Sequence, residues 1–114
     1  MSSNVIKMQG RSKESIEKLL EILNNETNGE LVSYEIKTVS DCKIGLIVLE
    51  KFYMRTSSYA NLTVLITEHN GQQTADIIAS AGGGGIFNIS WGSNKSFASI
   101  AEEVLEENGF TIIE

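Results

Sequence analysis

The chain has 114 residues, enough for one domain with its own core and too few for a second. Apolar residues make up 41% and charged residues 21%, so a packed core is expected and general disorder is not. The formal net charge of −6, from 9 basic and 15 acidic residues, works against binding a phosphate backbone, and the basic residues form no cluster, so no nucleic-acid role is expected.

Cys42 is the one cysteine, which rules out an intrachain disulfide and fits a reducing compartment. Proline is absent, so every turn falls to Gly, Asn, Asp or Ser. Met1 to Lys7 lacks the apolar run of a signal peptide. The longest apolar stretch, Ile44 to Leu49, is too short to span a bilayer. A cytoplasmic protein with no membrane partner is the expectation.

Val5, Ile6 and Met8 suggest a short edge strand over residues 3–9, interrupted at Gly10. Ser12 then stands as an N-cap, and Ile16, Leu19, Leu20 and Leu23 recur at helical spacing, predicting a helix at about 13–25. From Leu31 the period changes to two. Val32, Tyr34 and Ile36 alternate with Ser33, Glu35 and Lys37, as a half-buried strand would, and Asp41-Cys42-Lys43 follows as a turn. Ile44 to Met54 is the most apolar strand candidate. Its apolar residues fall on both parities, which calls for cover on both faces.

Asn70-Gly71 sits between two further strand-like runs and predicts a type I′ hairpin. That turn sets a register in which His69 faces Gln72, Ile66 faces Ala75, Val64 faces Ile77 and Leu62 faces Ala79. This set is uniformly apolar beyond the turn. The opposite set (Thr67 with Thr74, Leu65 with Asp76, Thr63 with Ile78) is mixed, so a one-residue slip would expose the core. A short strand at Ile86 to Trp91 is expected after the glycine run. Asn94 or Ser96 then caps a second helix with Phe97, Ile100, Ala101, Val104 and Leu105 as its apolar stripe. Asn108-Gly109 ends that helix in a Schellman arrangement, and Thr111 to Glu114 adds a terminal strand. The fold class is α+β: a two-layer domain with an antiparallel meander of about five strands and two amphipathic helices packed on one face. Dimerisation is the expected cover for the second face.

The meander brings the Arg55–Tyr59 connection and the Gly82–Gly85 run to the same end of the sheet. Arg55 offers a guanidinium, Ser57, Ser58 and Tyr59 offer hydroxyls, and Gly82, Gly83, Gly84 and Gly85 offer backbone N–H groups. Together these could hold a small anionic ligand, phosphate or carboxylate. The same glycines also suit a sharp turn or bulge, and the serines suit loop backbone. The run is neither a P-loop nor a dinucleotide fingerprint, because no Lys-Ser/Thr pair and no helix follow it. No cofactor is implied. His69 beside the hairpin turn reads as a solvated residue that can pair with Cys42 at that end of the sheet, and the two alone make no structural zinc site. Asp76 has no second carboxylate opposite it.

Lys51-Phe52-Tyr53-Met54-Arg55-Thr56-Ser57-Ser58, with Leu62-Thr63-Val64, Gly82-Gly83-Gly84 and Trp91-Gly92, resembles a family of small bacterial proteins, mainly from Firmicutes, whose function is unknown. The resemblance covers residues from about 30 to 107. It implies a bacterial source and gives no residue a role. The leading expectation is a non-catalytic domain binding a small anionic ligand, a protein partner or itself. The alternative is a small enzyme working at the Arg55–Tyr59 and Gly82–Gly85 loops.

Overall fold

The structure is a computed structural model, and it describes residues 3–54, 57–81 and 97–113. Strand β1 (Ser3–Gly10) leads to helix α1 (Ile16–Thr27), then strands β2 (Glu30–Val39), β3 (Cys42–Tyr53), β4 (Ser58–His69) and β5 (Gln72–Ala81). Helix α2 (Phe97–Glu107) and strand β6 (Phe110–Ile112) follow. The strands form a six-stranded sheet in the order β2-β3-β4-β5-β1-β6, with every neighbouring pair antiparallel.

The β4–β5 register is the one set by Asn70-Gly71: His69 with Gln72, Ile66 with Ala75, Val64 with Ile77 and Leu62 with Ala79. Asn70 and Gly71 have φ of 53° and 77°, both in the left-handed region a type I′ turn needs. The β2–β3 turn is tighter than expected. Ser40, at φ 57°, makes it with Asp41, and Cys42 already belongs to β3.

Two other expectations are corrected. β1 is not an edge strand, since it lies between β5 and β6 and buries Met8 on the helix side. α1 starts at Ile16 because Ser15, not Ser12, accepts the Lys18 N–H at 3.1 Å. Ser12 instead accepts the Glu14 N–H at 3.0 Å in the approach to the helix. α1 runs on to Thr27, and Asn28 closes it in the left-handed conformation. At the end of α2, Gly109 (φ 96°) donates to the Glu106 carbonyl at 3.2 Å, the 5→2 bond of the expected Schellman end, while the Leu105 carbonyl accepts from Asn108. The strand expected at Ile86 to Trp91, and the caps Asn94 and Ser96, lie outside the described residues.

The topology explains why both helices share one face. α1 joins β1 to β2, two strands of one direction, and α2 joins β5 to β6, two strands of the opposite direction. The first crossover runs toward the β2 edge and the second toward the β6 edge. Crossovers of equal hand, travelling opposite ways between opposite strand pairs, must lie on the same face. There Ile16, Leu19, Leu20 and Leu23 of α1 and Phe97, Ala101, Val104 and Leu105 of α2 close over Ile47, Leu49, Leu62, Val64, Ile66 and Ile77. Gly45 lets α1 come close: a Cβ there would run into Ile16 Cγ2 and stand 3.1 Å from Leu20 Cδ1. The one buried glutamine among the described residues, Gln73, staples the β1–α1 connection to the sheet. It accepts from the Ser12 N–H at 3.1 Å and donates to the Glu14 carbonyl at 3.3 Å and to Glu68 Oε1 at 3.0 Å. Among the described residues no helix is long and apolar enough to cross a membrane.

Candidate functional site

The end of the sheet expected to hold an anion is described in part. Arg55 and Gly82, Gly83, Gly84 and Gly85 lie outside the described residues. Ala60 faces Ala81, so β5 does finish at the end of the sheet where β4 begins. The connection is shorter than expected, and Ser58 and Tyr59 belong to β4 rather than to a loop. Ser57 makes the turn at φ 53°, donating its N–H to the Met54 carbonyl at 3.3 Å. Tyr59 is committed to a cross-strand pair: it faces Phe52, edge to face, with ring centroids 5.0 Å apart. Behind this pair, on the helix side, Tyr53 stands edge-on to Phe97, with Lys51 Nζ 5.6 Å from its ring centre. Burial pushes the Tyr53 hydroxyl above its ordinary 10.0, against a smaller opposing pull from the Phe97 backbone.

At the other end, Cys42 and His69 are direct register partners. His69 Nε2 lies 3.5 Å from Asp41 Oδ2, and Cys42 is half-buried. His69 and Asp41 keep about half or more of their side chains exposed, so the group lies at the surface. No group of three or more His, Cys, Asp or Glu among the described residues could hold a metal. Asp76 pairs with Lys7, Nζ to Oδ1 at 3.3 Å, on the sheet face that carries no helix. That face is mixed. Ile44, Leu46, Val48 and Leu65 are half-buried by one another, and Thr63, Thr67 and the Lys7–Asp76 pair stand among them.

One exposed apolar surface lies at the β2 edge. The alternation from Leu31 predicts a half-buried strand, yet β2 is exposed along its ten residues except at Ile36. The helices stop short of it: α1 packs on β3 and β4, and α2 on β4, β5 and β6. Leu31 and Tyr34, on the helix side, are therefore left 49% and 47% exposed, and Val32 and Val39 of the same strand 58% and 57%. A bulge between Leu31 and Ser33 puts Val32 out of phase with Tyr34 and Ile36. The sequence carries one sign of it, the adjacent apolar pair Leu31-Val32 at the head of a period-two run.

Between β2 and α1 runs an open groove of about 570 Å³. Leu20, Leu31, Tyr34 and Ile47 form its apolar part, and Glu17, Lys18 and Glu21 line its helix side. Lys43 Nζ reaches from β3 to Glu17 Oε2 at 2.7 Å and anchors the start of α1 there. The hydrogen bond from Lys43, more than any other influence, holds the Glu17 carboxyl below its ordinary 4.5. The groove has the size of a small-ligand site but lies open along a free strand edge, the shape that admits an extended chain.

No curated protein and no solved structure matches the chain. One family model does, over residues 1–109, a span that takes in every described element except β6. By that match the chain belongs to the family of unknown function DUF6054.

Proposed function

We propose that this is a non-catalytic domain that binds a protein partner along the free edge of β2. The observation that carries the reading is the edge itself. β6, at the opposite edge, has three residues, whereas β2 has ten and no partner strand on its outer side among the described residues. A long open edge offers a row of backbone N–H and C=O groups, and folded proteins normally shorten, charge or cover such edges. Here the bulge blunts only the first residues of β2, and Ser33 to Val39 pairs with β3 without irregularity. An added strand would gain main-chain hydrogen bonds from the edge, and its alternate side chains would meet Tyr34 and the groove beneath α1. The open sheet face is the weaker candidate, because Ile44, Leu46, Val48 and Leu65 at its centre already shield one another, the Lys7–Asp76 pair stands among its side chains, and it offers no free backbone edge.

Extended peptides selected from a random display library against the purified protein test this reading. The amide resonances that shift on binding should be those of Ser33 to Val39 and of the α1 residues along the groove. Peptides whose shifts fall instead on the open face, at Leu46, Leu65 and Ile78, would overturn it.

A further inference from the structure

β2 carries a pattern that fits a second copy of itself. We infer that two copies of this chain pair antiparallel through β2, about a twofold axis passing beside Ile36, into one continuous sheet. The inference rests on the reading of β2 as the binding edge and adds the identity of its occupant.

Three observations meet at Ile36. The regular part of the strand, Ser33 to Val39, is centred on it. Glu35 and Lys37 flank it on the sheet face that carries no helix, since they pair with Leu46 and Ile44 of that face. Ile36 itself leans to the helix side, over Gly45. A twofold perpendicular to the sheet sets each residue opposite the one equally far on the other side of the axis. At Ile36 it sets Glu35 against the partner's Lys37 and Lys37 against the partner's Glu35. It also sets Tyr34 against the partner's Thr38, and Ile36 against its own copy.

The other axes within the regular segment do worse. An axis at Glu35 faces two glutamates, and one at Lys37 faces two lysines; like charges directly opposite destabilise a strand pair. Axes at Tyr34 or Thr38 leave both charges without an opposite number. Within one chain Lys37 Nζ already lies 3.6 Å from Glu35 Oε2, so pairing would convert two exposed ion pairs into a closed four-charge cluster. The axis also keeps both helix layers on one side. Each groove beside α1 would then open onto the partner's β2, which would bring cover to the exposed Tyr34 of each copy.

The test is a charge exchange followed by analytical ultracentrifugation. Glu35 and Lys37 have side chains more than half exposed, so reversing either leaves the fold intact. Wild-type protein should show a concentration-dependent dimer. Glu35→Lys alone, and Lys37→Glu alone, should each weaken that dimer at least tenfold. An equimolar mixture of the two variants should regain it. One variant then carries a lysine on each side of Ile36 and the other a glutamate on each side, so every charge across the axis meets its opposite. A wild-type chain that stays monomeric at about 1 mM would overturn self-pairing. So would a dimer indifferent to both reversals, or a mixture that fails to recover. If the chain is monomeric while display-selected peptides still map to Ser33 to Val39, self-pairing alone falls and the binding edge stands.

Discussion

Gly45 is the position where a single methyl group tests the whole packing scheme. It lies on the helix side of β3, opposite Ile36 of β2 and Ile66 of β4, under the first turn of α1. An added Cβ would collide with Ile16 Cγ2 and stand 3.1 Å from Leu20 Cδ1 and 3.2 Å from Ile36 Cδ1. Its φ lies outside the left-handed region, so no backbone strain enters and the effect is one of space. Replacing glycine in a strand should itself be worth about 0.5 kcal/mol. Overpacking a closed core costs about 1–3 kcal/mol. The collision is with a β-branched residue that is fully buried and stiff, so the cost should prevail, leaving Gly45→Ala about 1–2 kcal/mol less stable. Ile16→Leu removes the offending Cγ2 at nearly constant volume and should cost about 1 kcal/mol alone. The double variant should then lose less than the sum, with a favourable coupling of about 1 kcal/mol. Urea unfolding followed by far-UV circular dichroism measures all three, and each kcal/mol should move Tm by about 4 °C. A neutral or stabilising Gly45→Ala, or strict additivity in the double variant, would refute the close approach of α1 to β3.

Two further perturbations probe the charges around the helices. The last turn of α2 carries Glu106 and Glu107 and no basic residue, and burial first, then Glu106 and Glu103, raises the Glu102 carboxyl above 4.5. A carboxyl raised on folding lowers stability as pH climbs from 4.5 through its folded value. Glu106→Lys should reduce that loss, supply an i,i+4 partner and complement the helix dipole, raising stability at pH 7 by about 0.5–1 kcal/mol; an unchanged or lower Tm refutes it. The Glu17 carboxyl is shifted the other way, so its contribution is present above 4.5 and lost as pH falls through the depressed folded value. Lys43→Met should move the Glu17 titration up toward the ordinary range in an NMR titration and cost less than about 1 kcal/mol, because both side chains are at least a third exposed; a Glu17 titration that does not move sinks the pairing.

What was legible in the sequence is what local chemistry decides. Asn70-Gly71 permits one turn geometry, the turn sets one register, and the apolar parity of Leu62, Val64 and Ile66 agrees with it; three levels point the same way. The helix stripes read correctly for the same reason. Boundaries read less well because neighbouring residues compete for one role. Ser12 and Ser15 both suit an N-cap, and only the fit of Ile16 under the helix decides for Ser15. Ser58 and Tyr59 look like loop residues by composition, yet Tyr59 is drawn into the sheet by its aromatic partner Phe52.

The place of a strand within its sheet is another matter, because residues far apart in the chain decide it. Val5, Ile6 and Met8 look like an edge strand until the C-terminal residues return beside them as β6. β2 looks half-buried until the width of the helix layer is considered. Six strands at about 4.8 Å spacing measure about 24 Å from first to last. Two helices packed about 10 Å apart cover less than that. Some strand must overhang, and the crossovers decide which. α2 is held near β5 and β6 by its short link to β6, and α1, packed against α2, reaches only as far as β3. The overhang therefore falls on β2, with its exposed Leu31 and Tyr34 and the groove beside α1. Its exposure follows from the topology, whatever the occupant. The placement of Glu35 and Lys37 on either side of Ile36 does not follow from topology, and that is why the proposed self-pairing rests on it rather than on exposure alone.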